Sequence, residues 1–172
     1  MKHKRILVFF AVCLMFSIIC SSAYAMPATG VKLKITSVAY PSRVLNVETD
    51  DAPVLSDEVT TRPWTNNATQ WWQTNYYATI GGISAYTLGL FSYPTLYANY
   101  HQANGYCTLY TATNNNYYDF TIYWEANGGD MMYLWYYDKF LHVSGNYNGA
   151  NCTWSSVSGG ATNYEKWTIT NA

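Results

Sequence analysis

The sequence QWWQTN (residues 70–75) decides the fold, because related stretches follow it twice along the chain. They read IYWEAN (122–127) and EKWTIT (165–170), and each contains a tryptophan after a polar loop. A pattern that returns about every 40–50 residues is typical of a fold built from repeated units. We therefore predict three repeats, each closed by one buried indole. The three indoles are those of Trp72, Trp124 and Trp167.

Short apolar–polar–apolar triplets precede each tryptophan and support this division. They are Leu45-Asn46-Val47, Leu96-Tyr97-Ala98 and Leu141-His142-Val143. Paired glycines at 81–82 and 128–129 mark the predicted boundaries between repeats. The predicted repeats cover about residues 31–80, 83–127 and 130–171.

Two cysteines follow the triplets at the same distance in repeats two and three. Cys107 lies eleven residues after Leu96, and Cys152 lies eleven residues after Leu141. In repeat one, Val54 in a predicted strand at 54–55 takes the corresponding place. The cysteines either form a disulfide, which an oxidising compartment permits, or pack as two buried thiols. The sequence leaves both alternatives open, because it gives no distance between the two residues.

The predicted fold class is all-β. Residues 31–38 alternate apolar and polar side chains, as a half-buried strand does, and no segment after residue 25 shows sustained helical periodicity. Three repeats of about four strands are too few for a larger propeller. The prediction is therefore a β-trefoil, a three-fold barrel capped by hairpins, formed as one domain by residues 26–172. Closing the barrel removes exposed strand edges.

Residues 1–25 have the pattern of a secretory signal peptide. Lys2, Lys4 and Arg5 precede an apolar run from 6 to 20, and Ala23-Tyr24-Ala25 supplies small residues at the expected cleavage site. The apolar run is short for a membrane span, which needs about 20 apolar residues. We predict cleavage after Ala25 and a secreted or periplasmic protein without a membrane span.

The composition argues against nucleic acid as a partner. The formal net charge is −1, and loss of the basic signal peptide would make it more negative. The remaining basic residues are scattered, so they form no stripe that could neutralise a run of phosphates. The chain also has 18 Tyr and 7 Trp residues, which can form the core, sugar platforms or protein-interface anchors, and for most of them a core position is favoured.

The sequence contains no motif that indicates an enzyme. It lacks the spacings of a serine nucleophile elbow, a zinc protease helix and a phosphate-binding loop. His101 and His142 have no adjacent Ser or Cys nucleophile. The acidic residues between 50 and 58 miss the spacing of a calcium loop. We predict a non-enzymatic protein without a cofactor or a metal.

These residues together resemble the ricin B-chain-like lectins. The resemblance rests on the triplets, the following strand and the Q-x-W motif, which is literal at Gln70-Trp71-Trp72 and partial in the other repeats, and it covers residues 31–171. It implies a β-trefoil that binds galactose-type or other sugars in shallow pockets, one per repeat at most. The implied partner is a carbohydrate or glycoconjugate, with a separate protein partner as a further option.

The resemblance also implies which residues contact a sugar. A pocket in that family uses an Asp in the triplet, an aromatic residue just after the next strand, and an Asn-Gln pair that opens Q-x-W. No repeat keeps the whole set, since the triplet position is Asn46, Tyr97 or His142. The implied carbohydrate-binding residues are Asn46, Trp64, Gln70, Tyr97, Tyr110, His142 and Trp154.

The predicted function is that of a secreted carbohydrate-binding, lectin-like module. The alternative is a protein-binding β-trefoil, either the delivery subunit of a toxin or a protease inhibitor. A structural surface protein without a small ligand is a third class that the sequence leaves open.

Overall fold

The computed structural model describes residues 28–49, 51–112, 116–126, 129–156 and 160–172. The predicted signal peptide and its cleavage site lie outside these ranges, as do Asp50 and Gly128. Among the described residues, no helix is long and apolar enough to cross a lipid bilayer.

Six of the twelve strands in the described residues form a closed barrel. They are β1 (Leu33–Ser37), β4 (Trp72–Ile80), β5 (Ile83–Leu90), β8 (Tyr123–Ala126), β9 (Asp130–Leu134) and β12 (Trp167–Asn171). Neighbouring strands in this order pair antiparallel, except that β5 and β8 are joined by a single antiparallel bridge between Tyr86 and Ile122, the residue just before β8. Pairing of β12 with β1, from Leu33 opposite Asn171 to Ser37 opposite Trp167, closes the ring.

The other six strands form one hairpin in each repeat. They are β2 (Val44–Val47) with β3 (Val59–Arg62), β6 (Tyr97–Tyr100) with β7 (Cys107–Tyr110), and β10 (Lys139–Val143) with β11 (Ala150–Ser155). Strands β3, β7 and β11 contact one another, so the hairpins meet around a common axis. A six-stranded barrel with three such hairpins is a β-trefoil, which confirms the predicted fold class.

Two of the three repeats are closed by a buried indole, as predicted. Trp72 and Trp167 are fully buried. Trp72 donates its Nε1–H to the carbonyl of Leu45 at 3.0 Å, and Trp167 donates to the carbonyl of Leu141 at 3.1 Å. The two acceptors hold the same place in their triplets, so the two repeats use one arrangement twice.

In repeat two the closing position belongs to Ile122, and its assignment to Trp124 was wrong. Ile122 is fully buried and pairs with Tyr86 on the first barrel strand of its own repeat. Trp72 pairs in the same way with Leu33. Trp124 is only partly buried and donates its Nε1–H to Asp130 Oδ1 at 3.0 Å. Residues two apart on a strand face the same side, so alternation alone could not distinguish Ile122 from Trp124.

The same two-residue shift affects the triplet of repeat two. Val143 lies opposite Cys152, and in repeat two the residue opposite Cys107 is Tyr100. The triplet of repeat two is therefore Ala98-Asn99-Tyr100, and the predicted triplet beginning at Leu96 was out of register. Its polar residue is Asn99, which is buried.

In repeat one, the position that corresponds to the two cysteines also differs from the prediction. The residue opposite Val47 is Val59, so Val59 corresponds to the two cysteines and Val54 does not. Val54 is 57% exposed and Leu55 begins a turn, although a strand was predicted there. The second strand of the hairpin begins instead at Val59.

Of the two alternatives for the cysteines, the structure contains free thiols. Cys107 and Cys152 are both fully buried and unbonded. Burial raises the pKa of the Cys107 thiol to about 12, against the opposing effect of hydrogen bonds from the Asn99 backbone and Trp154. Burial and the nearby Cys107 also raise the pKa of Cys152. Both thiols therefore stay protonated at neutral pH and fill the core as small apolar groups.

Candidate functional site

The pseudo-three-fold arrangement places one polar triplet residue in each repeat. These residues are Asn46, Asn99 and His142, of which the two asparagines are buried and the histidine is half-buried. A second set of equivalent positions lies two residues before each closing residue. It consists of Gln70, Phe120 and Glu165, all buried. The side chains at these two positions determine how polar the corresponding surface of each repeat is.

Repeat one forms an open pocket of about 310 Å³ beside this pair of positions. All of its lining side chains but one proline carry amide, hydroxyl or guanidinium groups. They are Asn46, Arg62, Pro63, Thr65, Asn67, Gln70 and Asn148. Among the predicted site residues, the structure thus brings Asn46 and Gln70 together.

Gln70 organises the loop that forms one side of this pocket. It is 1% exposed and ends a short 3₁₀ turn over Ala68–Gln70. Its Nε2 donates to the Pro63 carbonyl at 2.8 Å, and its Oε1 accepts from Thr65 N at 2.7 Å and Thr65 Oγ1 at 3.1 Å. Both ends of the amide are thus bonded to the loop from Pro63 to Gln70, and these bonds restrain its conformation.

Asn46 is held as firmly on the neighbouring hairpin. Its Nδ2 donates to the Val47 carbonyl at 2.7 Å and to Thr60 Oγ1 at 3.4 Å. Its Oδ1 accepts from Thr69 Oγ1 at 3.0 Å, which ties the triplet to the loop before Trp72. Both buried amides are therefore held in one orientation by the protein's own hydrogen bonds.

Arg62 occupies the end of β3, where the resemblance implies an aromatic residue. Its guanidinium forms a two-bond ion pair with Glu48, in which Nε donates to Oε2 at 2.9 Å. The hydrogen bond from Arg62 lowers the pKa of Glu48 against the opposing effect of burial, so Glu48 is ionised at neutral pH. Thr60 also donates to this carboxylate at 3.2 Å. The predicted Trp64 does not line the pocket, and Lys34 Nζ lies 5.1 Å from its ring centroid.

Repeat two differs because its equivalent of Gln70 is apolar. Phe120 stacks against Tyr97 with ring centroids 6.0 Å apart. Tyr97 lies opposite Tyr110 on the hairpin, so the structure brings these two predicted residues together, away from the polar pocket of repeat one. A separate depression of about 440 Å³ is lined by Thr95, Tyr97, Thr111 and Ala112.

Repeat three has an ionisable version of the polar arrangement. His142 Nδ1 lies 2.7 Å from Glu165 Oε1, and Thr162 donates from N at 2.8 Å and Oγ1 at 2.7 Å to Glu165 Oε2. Burial alone would raise the pKa of Glu165, but the hydrogen bonds from Thr162 and His142 outweigh it and hold that pKa below its ordinary value. The Tyr164 ring lies 5.7 Å from the His142 ring.

Trp154 belongs to the core and not to a surface site. It is 2% exposed and donates its Nε1–H to the Asn99 carbonyl at 3.2 Å. Strand β11 alternates buried and half-buried residues, and Trp154 shares its buried face with Ala150 and Cys152. That alternation was visible in the sequence and indicated a core position for Trp154.

Sequence reasoning missed Arg62, which lines the pocket of repeat one, and four further polar residues. Thr65 and Asn67 lie in the loop before the Q-x-W motif, Asn99 was hidden by the register shift, and Asn148 comes from repeat three. Only the loop residues carried a local signal, since they immediately precede Gln70. Among the described ranges, no group of three or more His, Cys, Asp or Glu residues could hold a metal ion.

No protein-family model matches the chain, and no characterised protein matches it by sequence. Solved structures do match. A mosquitocidal holotoxin superposes with a TM-score of 0.71 at 17% identity, over 86% of this chain and 18% of the holotoxin chain. The Rhizoctonia solani agglutinin gives 0.65 at 14% identity, over 86% and 100% of the two chains. The earthworm R-type lectin C-half, solved in complex with GalNAc, gives 0.59 at 15% identity, over 83% and 99%.

Glycosidases also appear among the structural neighbours. An endo-β-galactosidase from Clostridium perfringens matches with a TM-score of 0.61 at 13% identity, and this chain covers 32% of it. A match to about a third of an enzyme is not evidence that this chain has enzymatic activity. At these identities the likenesses establish the fold alone, which is a β-trefoil.

Proposed function

We propose that the protein is a carbohydrate-binding module and that the pocket of repeat one binds a sugar. The observation that carries this proposal is an open pocket lined by amide and hydroxyl side chains, whose shape is held by the hydrogen bonds of two buried amides, Asn46 and Gln70. Sugars present hydroxyl groups that both donate and accept, so they require donors and acceptors fixed in place. The lectins with the same fold, including the earthworm protein that holds GalNAc, support the proposal.

The pocket chemistry indicates weak rather than tight binding. The family pattern places an Asp where this chain has Asn46, and hydrogen bonds to a carboxylate are roughly twice as strong as bonds between neutral groups. The charged groups beside the pocket, Arg62 and Glu48, are already paired with each other. Amides and hydroxyls therefore supply most of the bonds to the sugar.

The protein acts by binding alone in this proposal. Glycoside hydrolysis needs two carboxyl groups about 5–9.5 Å apart across one bond. Glu48 is paired with Arg62, and Glu165 is bonded to His142 and Thr162, in different repeats. We also propose that the chain is exported, with a signal peptide cleaved after Ala25, and that it meets glycoconjugates rather than nucleic acid.

A printed glycan array followed by fluorescence titration tests the proposal. We expect saturable binding to at least one glycan, and Asn67→Ala should weaken it roughly 2–10-fold, as loss of one neutral hydrogen bond does. Asn171→Ala is the matched control, because Asn171 is exposed at the end of β12 and lines no described pocket. An array without signal, or equal loss in both variants, would count against a sugar site in repeat one.

A protein-binding function is the second candidate, and one surface favours it. Trp135 and Tyr136 are 54% and 59% exposed, and Tyr136 stacks on Tyr118 with centroids 4.2 Å apart. Exposed tyrosine and tryptophan residues are enriched in protein interfaces. A silent glycan array, together with a protein partner whose binding is lost in Tyr136→Ala and kept in Asn67→Ala, would favour this candidate.

A further inference from the structure

We propose that loop 144–149 of repeat three completes the sugar pocket of repeat one. In this arrangement Asn148 is a ligand-binding residue that determines specificity, and Arg43 is the positioning residue that holds it. The inference rests on the proposed sugar-binding function and deepens it. It assigns part of the pocket to a segment that is distant in sequence and belongs to another repeat.

Arg43 clamps the loop at two residues. It is half-buried immediately before β2, and its Nε donates to Asn146 Oδ1 at 3.2 Å while its Nη2 donates to the Asn146 carbonyl at 3.3 Å. Its Nη1 donates to Asn148 Oδ1. One guanidinium therefore binds both asparagines with its fixed fork of donors, and only Asn148 lines the pocket.

The backbone of the loop is fixed from its other end. Gly149 N donates to the Thr61 carbonyl at 3.1 Å, and Ala150 pairs with Thr61 across β11 and β3. Gly149 has φ +75°, a left-handed conformation that favours glycine, and an added Cβ would lie 3.5 Å from Glu48 Oε2. The loop is thus attached to repeat one on both sides of Asn148.

Tyr147 folds back within the same loop. A Cβ added at Gly145 would lie 2.6 Å from Tyr147 Cε1, so the ring packs on the glycine backbone. Glycine at position 145 allows this contact, which keeps the loop compact between its two attachments. Asn148 is therefore presented by an ordered segment.

The clamp also fixes the orientation of the Asn148 amide. A guanidinium has only donors, so the amide atom that it contacts must be the oxygen. The Nδ2 group of Asn148 is then left as a donor, and it makes no hydrogen bond with the described residues. The charged partner on the oxygen polarises the amide and makes this N–H group a stronger donor.

A second amide of the pocket is arranged in the same way. Asn67 accepts from Thr69 Oγ1 at 2.7 Å through its Oδ1, and its Nδ2 has no partner among the described residues. The pocket therefore offers two amide donors, one from each of two repeats. They fit a sugar that presents two acceptor oxygens, such as those of hydroxyl or acetamido groups.

Substitutions at Asn148 separate ligand binding from loop positioning. Asn148→Asp keeps an oxygen that accepts from Arg43 but replaces the free donor with an acceptor. Asn148→Ala removes both the oxygen that accepts from Arg43 and the free donor. The probes are a printed glycan array for all variants and titration with N-acetylgalactosamine and the strongest soluble array glycan. We expect both variants to weaken binding at least about 5-fold, as loss of a charge-assisted donor does.

Arg43→Ala should weaken binding to the same glycans, because the loop and the Asn148 amide lose their orientation. Hydrogen exchange of the Gly149 amide should become faster in this variant, while thermal unfolding stays cooperative. Lys139→Ala is the control: it removes a cation that packs over Tyr100, outside the lining of the pocket, and binding should not change.

The outcomes distinguish this inference from the function on which it rests. If the wild-type protein binds no glycan on the array, both fall. If the wild type binds a glycan and both Asn148→Asp and Asn148→Ala bind it as tightly as the wild type does, only the role of Asn148 falls. If Asn148→Asp binds as the wild type does and Asn148→Ala does not, Asn148 merely supports the loop, and the assignment of a ligand donor is overturned.

Discussion

Repeats one and two share a backbone but differ at the position two residues before their closing residue. In repeat one this position is Gln70, whose bonds to Pro63 and Thr65 shape a polar loop. In repeat two it is Phe120, which packs against Tyr97 and Tyr77 in an aromatic cluster. One side chain at a common backbone position thus decides whether a repeat forms a polar pocket or an aromatic surface.

The closing residues of repeats one and two differ in polarity in the same way. Trp72 fills its position with an indole that also bonds to the Leu45 carbonyl, whereas Ile122 fills the corresponding position with apolar volume alone. Burial is complete at both positions. The fold therefore requires a large apolar group at this position, and the hydrogen bond is an addition found in repeats one and three.

The largest expected effect tests which residues close the repeats. Trp72→Ala and Trp167→Ala should each lower the free energy of unfolding by about 3–5 kcal/mol, because a cavity opens and a buried carbonyl loses its donor. Trp124→Ala should cost only about 1–2 kcal/mol, since Trp124 is partly exposed. Urea unfolding of the three variants measures the difference. A Trp124→Ala variant as unstable as Trp72→Ala would return the closing role to Trp124.

A smaller effect is expected from Gln70→Ala, which removes the polar group that distinguishes repeat one. It leaves the Pro63 carbonyl and the Thr65 amide without a partner and should lower the free energy of unfolding by about 1–3 kcal/mol. The Thr65 amide should exchange with solvent faster, and glycan binding should weaken.

Gln70→Glu provides the matched control for this prediction. A carboxylate still accepts from Thr65, as Glu165 accepts from Thr162 in repeat three, but it cannot donate to Pro63. We expect its Thr65 amide to remain protected. Unchanged Thr65 exchange in Gln70→Ala would show that the loop does not depend on this side chain.

The sequence was sufficient for the fold and insufficient for the site, for a physical reason. Strand alternation has a period of two, so it predicts which faces are buried but is unchanged by a shift of two residues. Because of this two-residue error, the prediction named Trp124 as the closing residue in place of Ile122, and Tyr97 as the polar triplet residue in place of Asn99. Asn148 could not be found at all, because only the folded chain brings it to the pocket of repeat one.

The smallest expected effect is on the pH dependence of stability, in which repeats one and three should differ. In repeat three Glu165 holds the position that Gln70 holds in repeat one. Despite its burial, the hydrogen bonds from Thr162 and His142 lower its folded pKa below the ordinary value of 4.5. A carboxyl group with a lowered folded pKa binds its proton more readily in the unfolded chain. Its contribution to stability is therefore complete above pH of about 4.5 and is lost as the pH falls through the folded pKa.

Glu165→Gln should remove this part of the acid dependence, while Gln70→Ala should leave it in place because an amide does not titrate. Urea unfolding between about pH 3 and pH 7 measures both slopes. Glu48 has a lowered pKa as well, so some acid dependence should persist in Glu165→Gln. If the slope were the same in Glu165→Gln and the wild type, the carboxylate would not be bonded as the structure has it, and repeat three would not be an ionisable copy of the repeat-one arrangement.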